Sequence, residues 1–311
     1  MADELTVVPG VEDLLALGEV RRLAESGLWE VVVVDCGPTA ETLRLLGLPE
    51  ALSTYLERLF PAHRRSVRGL ISGLAAGRDA QPAWDRAVAA LDGLAGQLQG
   101  LHRLLADQDT TSIRLVLTPE RVVAAETRRT LTALALYGLR VDGLVANRLM
   151  PEAPSSLRGP AGRWLRERHT EQRAVLAGLE ALPVPLRVAE HTSAEPTGLP
   201  ALRELAAALY GAEDPAAPAD APAAPLLQVN RTAGSGTSPD SAFDLVLRLP
   251  GVASGPVDLV RLDDELAVTT GGTRRMIALP SVLRRCTVTD AHVAGDDLRV
   301  AFVPDPAVWL R

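Results

Sequence analysis

The chain has 311 residues, 47% of them hydrophobic, which is enough apolar material for a sizeable core and more length than one small domain usually holds. Its 32 basic and 39 acidic side chains leave a net charge of -7, which argues against a general phosphate-backbone binder and so against a nucleic-acid partner. All the basic residues are arginine, and the two cysteines, Cys36 and Cys286, lie far apart with no CxxC pair. That excludes a disulfide framework and a zinc knuckle and fits a cytoplasmic protein.

In chain order, the acidic start Met1-Ala2-Asp3-Glu4 lacks the basic and apolar regions of a secretory leader, and no later apolar run is long enough to span a bilayer. Val31-Val32-Val33-Val34 is a continuous β-branched run, the pattern of a parallel strand buried on both faces, and it ends on Asp35. Residues 50–106 place Leu52, Leu56, Leu59, Val67, Leu70, Leu91, Leu94, Leu98, Leu101 and Leu105 at helical spacing, which predicts a helical insertion whose leucines serve as core or as a groove for a partner helix. Ile113 to Leu117 is a second strand. Thr118-Pro119-Glu120 reads as N-cap, first helical proline and first-turn acid, and the helix carries Val122, Val123, Leu131, Leu134 and Tyr137 toward a C-terminal Gly138.

Val141 to Asn147 is a third strand, 161–180 a helix, Pro185 to Val188 a short strand and Pro200 to Tyr210 a last amphipathic helix closed by Gly211. Alternating strands and helices imply an α/β domain with an open parallel sheet, whose ligands collect at the carboxyl ends of the strands. Asp35, Thr118 and Asn147 are all predicted at such ends. From 212 to 241 Pro, Ala, Gly and Ser dominate, which reads as a linker. Beyond it, six short segments at 243–249, 258–262, 265–270, 274–279, 286–293 and 298–303 switch to a period of two, separated by Pro-Gly, Asp-Asp and Gly-Gly turns, and predict a small β-sandwich over 242–311.

An acid at the end of a buried apolar strand is the arrangement P-loop NTPases use to hold Mg²⁺, often through water; the bland alternative is that Asp35 caps the next helix. Val31-Val32-Val33-Val34-Asp35-Cys36-Gly37-Pro38-Thr39-Ala40-Glu41-Thr42-Leu43-Arg44 resembles the switch II segment of the arsenical-pump and tail-anchored-protein-targeting ATPases, a deviant-Walker branch of the P-loop NTPases, with alanine at 40 where that family usually has glycine. Leu144-Val145-Ala146-Asn147-Arg148 is similar to the family's adenine-contacting strand end, and Glu195-Pro196-Thr197-Gly198-Leu199 to its late loop. The last seventy residues resemble the small-heat-shock-protein-like sandwich that several members carry.

The resemblance implies an ATP-binding domain over 1–211 with a helical insertion at about 50–106, a linker over 212–241 and the sandwich over 242–311. It also implies Asp35 on Mg²⁺ through water, Pro38 and Thr39 as reporters of the terminal phosphate, and Asn147 with Arg148 at adenine. ATP hydrolysis coupled to a partner or protein client, and a homodimer or paralogue heterodimer, are the expected activity and assembly. The family also needs a glycine-rich, lysine-bearing phosphate loop, because backbone N–H groups and lysines must cradle and neutralise the phosphates. Gly234-Ser235-Gly236-Thr237 follows no predicted strand and offers no lysine.

Relative to the family the chain is expected to begin about a hundred residues late, which predicts weak or no hydrolysis by this chain on its own. Three readings stay open: a shortened form of an ordinary ATPase, a member that lost hydrolysis and kept binding, or a chain completed by a paralogue. A non-enzymatic chaperone-like or adaptor module is the competing class. His63, His102, His169, His191 and His292 show no zinc spacing, and a single Cys36 cannot form a three-thiolate metalloid cage.

Overall fold

The computed structural model describes residues 11–37, 43, 93, 96–217, 226–252 and 255–309. The chain divides into two compact units, Met1–Thr111 and Ser112–Arg311. In the first, helix α1 (Val11–Glu25) and a helix over residues 96–106 (α2) bury Leu17, Leu98 and Leu101. Arg21 ties them, donating to Glu25 at 2.8 Å and to the Gln97 carbonyl at 3.4 Å.

The valine run departs from its expectation. Residues 31–37 form no strand, and Val31, Val33 and Val34 are exposed, Val33 at 87%. β-branching gives a segment the shape for a sheet, but a parallel strand exists only through the ladder on its flanks, and no described residue of this unit pairs with it. Of the predicted helical insertion, 96–106 is helical, while all of 50–92 lies outside the described residues, as do Pro38 and Thr39.

The second unit begins as a β-α-β-α-β-α series: β1 (Ile113–Leu117), α3 (Arg121–Leu136), β2 (Val141–Leu149), α4 (Gly159–Glu180), β3 (Leu186–Glu190) and α5 (Gly198–Tyr210). The strands are parallel in the order β1-β2-β3. Ala124, Leu131, Leu144, Ala146, Leu176 and Leu179 form the core between the sheet and helices α3 and α4. Helix α3 starts one turn-fraction later than its sequence signals suggest, with Glu120 as a side-chain-free N-cap, and Val122 is 78% exposed. The buried stripe instead runs Ala124, Thr127, Leu131, Leu134, one residue step for each turn. Gly138 ends the helix with φ +77, a conformation that favours glycine.

Seven strands follow. β4 (Leu227–Ala233), β5 (Ala242–Arg248), β10 (Asp297–Pro304) and β9 (Cys286–Ala294) make a four-stranded antiparallel sheet in the order β4-β5-β10-β9. β6 (Val257–Leu262), β7 (Glu265–Thr270) and β8 (Thr273–Ala278) make a three-stranded one, and a short helix α6 (Ser281–Arg284) precedes β9. β4 falls inside the stretch read as linker: Leu227 and Val229 alternate with polar residues and pack on the core, a period the surrounding Pro and Ala composition hides. Phe243, Leu245, Leu247, Leu266, Val268, Val300 and Phe302 fill the space between the sheets.

The sandwich core also contains Leu136, from the last turn of α3. Thr132 Oγ1 lies 2.8 Å from the Pro250 carbonyl, and Arg275 of β8 donates to the Leu136 carbonyl, one of the carbonyls a helix end leaves without an internal partner. Gly251 has φ +80 and approaches so closely that a Cβ there would lie 3.3 Å from the Arg128 carbonyl. One face of α3 therefore serves the parallel sheet and another serves the sandwich.

Candidate functional site at the carboxyl ends of the parallel strands

Strand β2 is interrupted where it matters. Its pairing with β3 runs regularly from Leu144 to Ala146 and resumes at Leu149, so Asn147 and Arg148 bulge out of the ladder at the strand's carboxyl end. Arg148 has φ +64, a left-handed backbone unusual for a residue with a long side chain. Such a conformation costs about 1–3 kcal/mol and persists where surrounding contacts over-determine it, commonly at ligand sites. Here the Asn147 side chain does so locally: its Oδ1 accepts the Arg148 backbone N–H at 2.9 Å.

The exit from the bulge is held by α4. Gln172, only 4% exposed, accepts the Met150 N–H at 2.7 Å through its Oε1, and His169 Nδ1 lies 2.8 Å from the Met150 carbonyl. These two residues, three apart on one helix face, fix the backbone on the far side of Arg148. Sequence reading weighed His169 only as a zinc ligand and passed over Gln172, because their role is to hold a main chain rather than to form a motif; the i, i+3 spacing of two polar residues on an otherwise apolar stripe is the signal they leave. His191, at the end of β3, donates its N–H to the Leu149 carbonyl at 2.8 Å and closes the bulge from the other side.

At the end of β1, Glu120 receives Arg168 of α4 at 2.8 Å, and Arg168 also meets Glu171 at 3.2 Å. A shallow cleft of about 250 Å³ between α3 and α4 is lined by Arg121, Arg128, Glu171 and Gly178. Its cations are already engaged: Arg121 lies 3.5 Å from Glu171, and Arg128 donates to the Gly178 carbonyl at 2.9 Å. It has no spare charge for an anion.

The predicted site residues thus divide. Asn147 is half-buried with its Nδ2 amide left without an acceptor among the described residues, and Arg148 is exposed. Asp35 is exposed in an irregular segment, with no ion pair among the described residues, and belongs to the other unit. Pro38 and Thr39 lie outside the described residues. No cluster of three or more His, Cys, Asp or Glu side chains among the described residues could hold a metal.

Asn147 thus carries an N–H₂ donor with no acceptor among the described residues and, with one lone pair of Oδ1 committed, a second lone pair that still accepts.

A model of the anion-transporting ATPases matches residues 1–211. The chain belongs to that family. Within the chain, residues 240–302 match the HSP20-like domain found in such proteins, which accounts for the antiparallel sandwich. It is 42% identical to protein Rv2184c of Mycobacterium tuberculosis, over 99% of this chain and 71% of that protein. It is 29% identical to a Chlorobaculum tepidum protein whose name refers to an arsenical pump-driving ATPase, over 97% of this chain and 72% of the other. The ATPase GET3 of Malassezia globosa is 28% identical over 50% of this chain and 47% of its own length. No helix among the described residues is long and apolar enough to cross a membrane.

Proposed function

We propose that this chain binds ATP with Mg²⁺, and that in the complete assembly hydrolysis is coupled to engagement of a partner or client protein. The observation that carries the reading is the bulge at the carboxyl end of β2, where Asn147 presents an unspent amide beside the left-handed Arg148. In this reading Asn147 grips the adenine edge and Arg148 lies beside it. Asp35 holds Mg²⁺ through water, and Pro38 with Thr39 forms the turn that responds to the terminal phosphate. The cation, when bound, neutralises charge on the phosphate oxygens. Family membership supports nucleotide use.

Turnover needs preorganised donors around the transferring phosphoryl group. The 311 residues contain no lysine, and Gly234-Ser235-Gly236-Thr237, which the structure places after β4, leads into the antiparallel β5 rather than a helix, so we expect binding without useful hydrolysis from this chain by itself. A heterodimer with a paralogue that supplies the loop would restore it in a cytoplasmic setting, whereas a homodimer of this chain alone would bind nucleotide without turning it over.

Isothermal calorimetry on the full chain tests the site. Asn147→Ala is expected to weaken ATP binding about tenfold, the value of roughly 1.4 kcal/mol for a desolvated amide contact, and to leave the fold intact. Asp35→Ala is expected to abolish the Mg²⁺ dependence of binding. Affinity that survives both substitutions defeats the assignment.

A second reading, a non-enzymatic chaperone-like or adaptor module, draws on the HSP20-like match over 240–302. It requires that the chain suppress aggregation of a thermally unfolding client equally with and without ATP. The first reading requires that nucleotide change that suppression.

A further inference from the structure

The four-stranded sheet of the sandwich outnumbers its three-stranded partner, and the excess falls on β9, which pairs with β10 on one side and with nothing described on the other. All of its residues after Cys286 are exposed. The strand β10 buries Leu298, Val300 and Phe302, and the residues paired with these on β9 are Val293, Ala291 and Val288, so the core-side face of β9 overhangs the second sheet and leaves Val293 37% and Val288 39% exposed. This nine-residue edge has no proline, no lysine and no arginine; Asp290 is its one acidic side chain, and its single bulge lies toward its start, where Ala301 pairs with Asp290 and Phe302 with Val288.

The turn between β9 and β10 sets which groups face outward. Ala294 pairs with Asp297 across a two-residue turn, Gly295-Asp296, with Gly295 at φ +62. In such a hairpin the flanking pair exchanges hydrogen bonds, so bonding alternates from there. His292 and Asp290 turn their N–H and C=O groups toward β10, and Val293 and Ala291 turn theirs toward the open edge.

We infer that the β9 edge is an interface for a second copy of this chain, joined antiparallel about a two-fold axis at Ala291. Three features choose this occupant and this register. Ala291 then exchanges both backbone hydrogen bonds with its own counterpart. Asp290, which within one chain lies 3.1 Å from His292, falls directly opposite His292 of the second copy in the non-hydrogen-bonded position, where side chains approach most closely, and the symmetry makes this contact twice. The overhanging Ala291 and Val293 of both copies merge into one apolar strip. Shifting the register by one step sets His292 against His292 and Asp290 against Ala294, and both Asp–His pairs are lost. Arg299, across from His292 on β10, is occupied by Asp297 at 3.4 Å and leaves Asp290 to the histidines. This interface is independent of the nucleotide reading, since it uses only the sandwich.

The test is site-specific disulfide formation in the full chain with Cys36→Ala as background, because an antiparallel bonded pair sets its Cα atoms about 5.5 Å apart, within reach of a disulfide. Under mild oxidation Ala291→Cys is expected to give a covalent dimer at least about tenfold faster than Ala294→Cys, which in this register faces position 288. His292→Asp places carboxylates opposite one another in two symmetric pairs and should slow Ala291→Cys dimerisation by about tenfold, while Asp290→His combined with His292→Asp should restore it. Unchanged near-ultraviolet circular dichroism keeps misfolding out of the comparison. Equal rates at 291 and 294, a charge exchange that fails to restore, or sedimentation that finds only monomer at every concentration would each overturn the inference, the last pointing to an unlike strand as the occupant.

Discussion

Trp309 lies in the carboxyl-terminal turn that closes on the sandwich and, by the contacts it makes, is among its most valuable side chains. It is 6% exposed, its ring centroid lies 6.1 Å from that of Phe243 at an interplanar angle of 48°, and the Arg285 guanidinium sits 5.2 Å from the ring. Its indole N–H donates to the Thr237 carbonyl at 3.1 Å, in the β4–β5 turn that carries Gly234 and Gly236 at positive φ. One residue thus ties the carboxyl-terminal turn to the loop 72 residues before it. An aromatic pair adds about 0.5–1.5 kcal/mol beyond area, a hydrogen bond about 0.5–1.5, and an exposed cation–π contact about 0.5–1. With the cavity left by the ring, Trp309→Ala should cost about 3–5 kcal/mol. Trp309→Phe keeps a ring against Phe243 and gives up the indole donor, so it should cost about 1–2 kcal/mol. Urea unfolding followed by far-ultraviolet circular dichroism, which does not depend on the indole removed, measures both. A loss below about 0.5 kcal/mol for Trp309→Ala, or equal losses for the two variants, would refute the assignment of this residue as a tie.

Further outcomes are expected elsewhere. Thr132→Val removes the hydroxyl that reaches the Pro250 carbonyl and should lower stability by about 1 kcal/mol in the same unfolding assay; Gly251→Ala should cost more, because φ +80 and the 3.3 Å approach to the Arg128 carbonyl both resist a Cβ. Tyr210 stands between two guanidinium groups, Arg114 at 5.5 Å and Arg187 at 4.8 Å, and its hydroxyl accepts from Arg114 at 3.0 Å. Tyr210→Ala should release the segment that follows Gly211 to limited proteolysis, and Tyr210→Phe should leave it largely protected. Burial pushes the Cys286 thiol above its ordinary range, so the thiol stays neutral and unreactive in the folded chain while the exposed Cys36 is labelled first by iodoacetamide. Because the folded value is the raised one, this burial stabilises fully below the unfolded thiol's pKa and less as pH climbs above it, a trend that Cys286→Ala should remove from the unfolding midpoint measured between pH 7 and pH 10.

Legibility in the sequence follows the physics of each element. β1 and the strands from β5 to β10 were readable because a single local property, period or β-branching, coincides with a real partner on at least one side. The valines at 31–34 have the same property and no described partner in their unit, so local pattern overstated them. β4 failed in the opposite sense: its alternation spans only Leu227 and Val229 and is surrounded by residues that signal linker. Val122 was misassigned because helix periodicity gives spacing and not phase; Ala124 and Thr127, small residues that sequence reading discounts, mark the face that is buried. At the candidate site, Asn147 and Arg148 were legible by resemblance, but the left-handed backbone between them, and the Gln172 and His169 that hold it, arise from tertiary contacts that no motif encodes.

The double duty of helix α3 also sets what can be taken apart. With Leu136 seated in the sandwich and Thr132 bonded to Pro250, a protease site placed in residues 218–225 would nick the chain without letting its pieces drift apart. An excised sandwich would carry a leucine-sized notch in its wall and an arginine, Arg275, robbed of its carbonyl. The heat-shock-like portion is therefore a welded part and not a detachable tool, and anything that tugs on it is felt first along the same helix whose opposite end stands beside the strand termini.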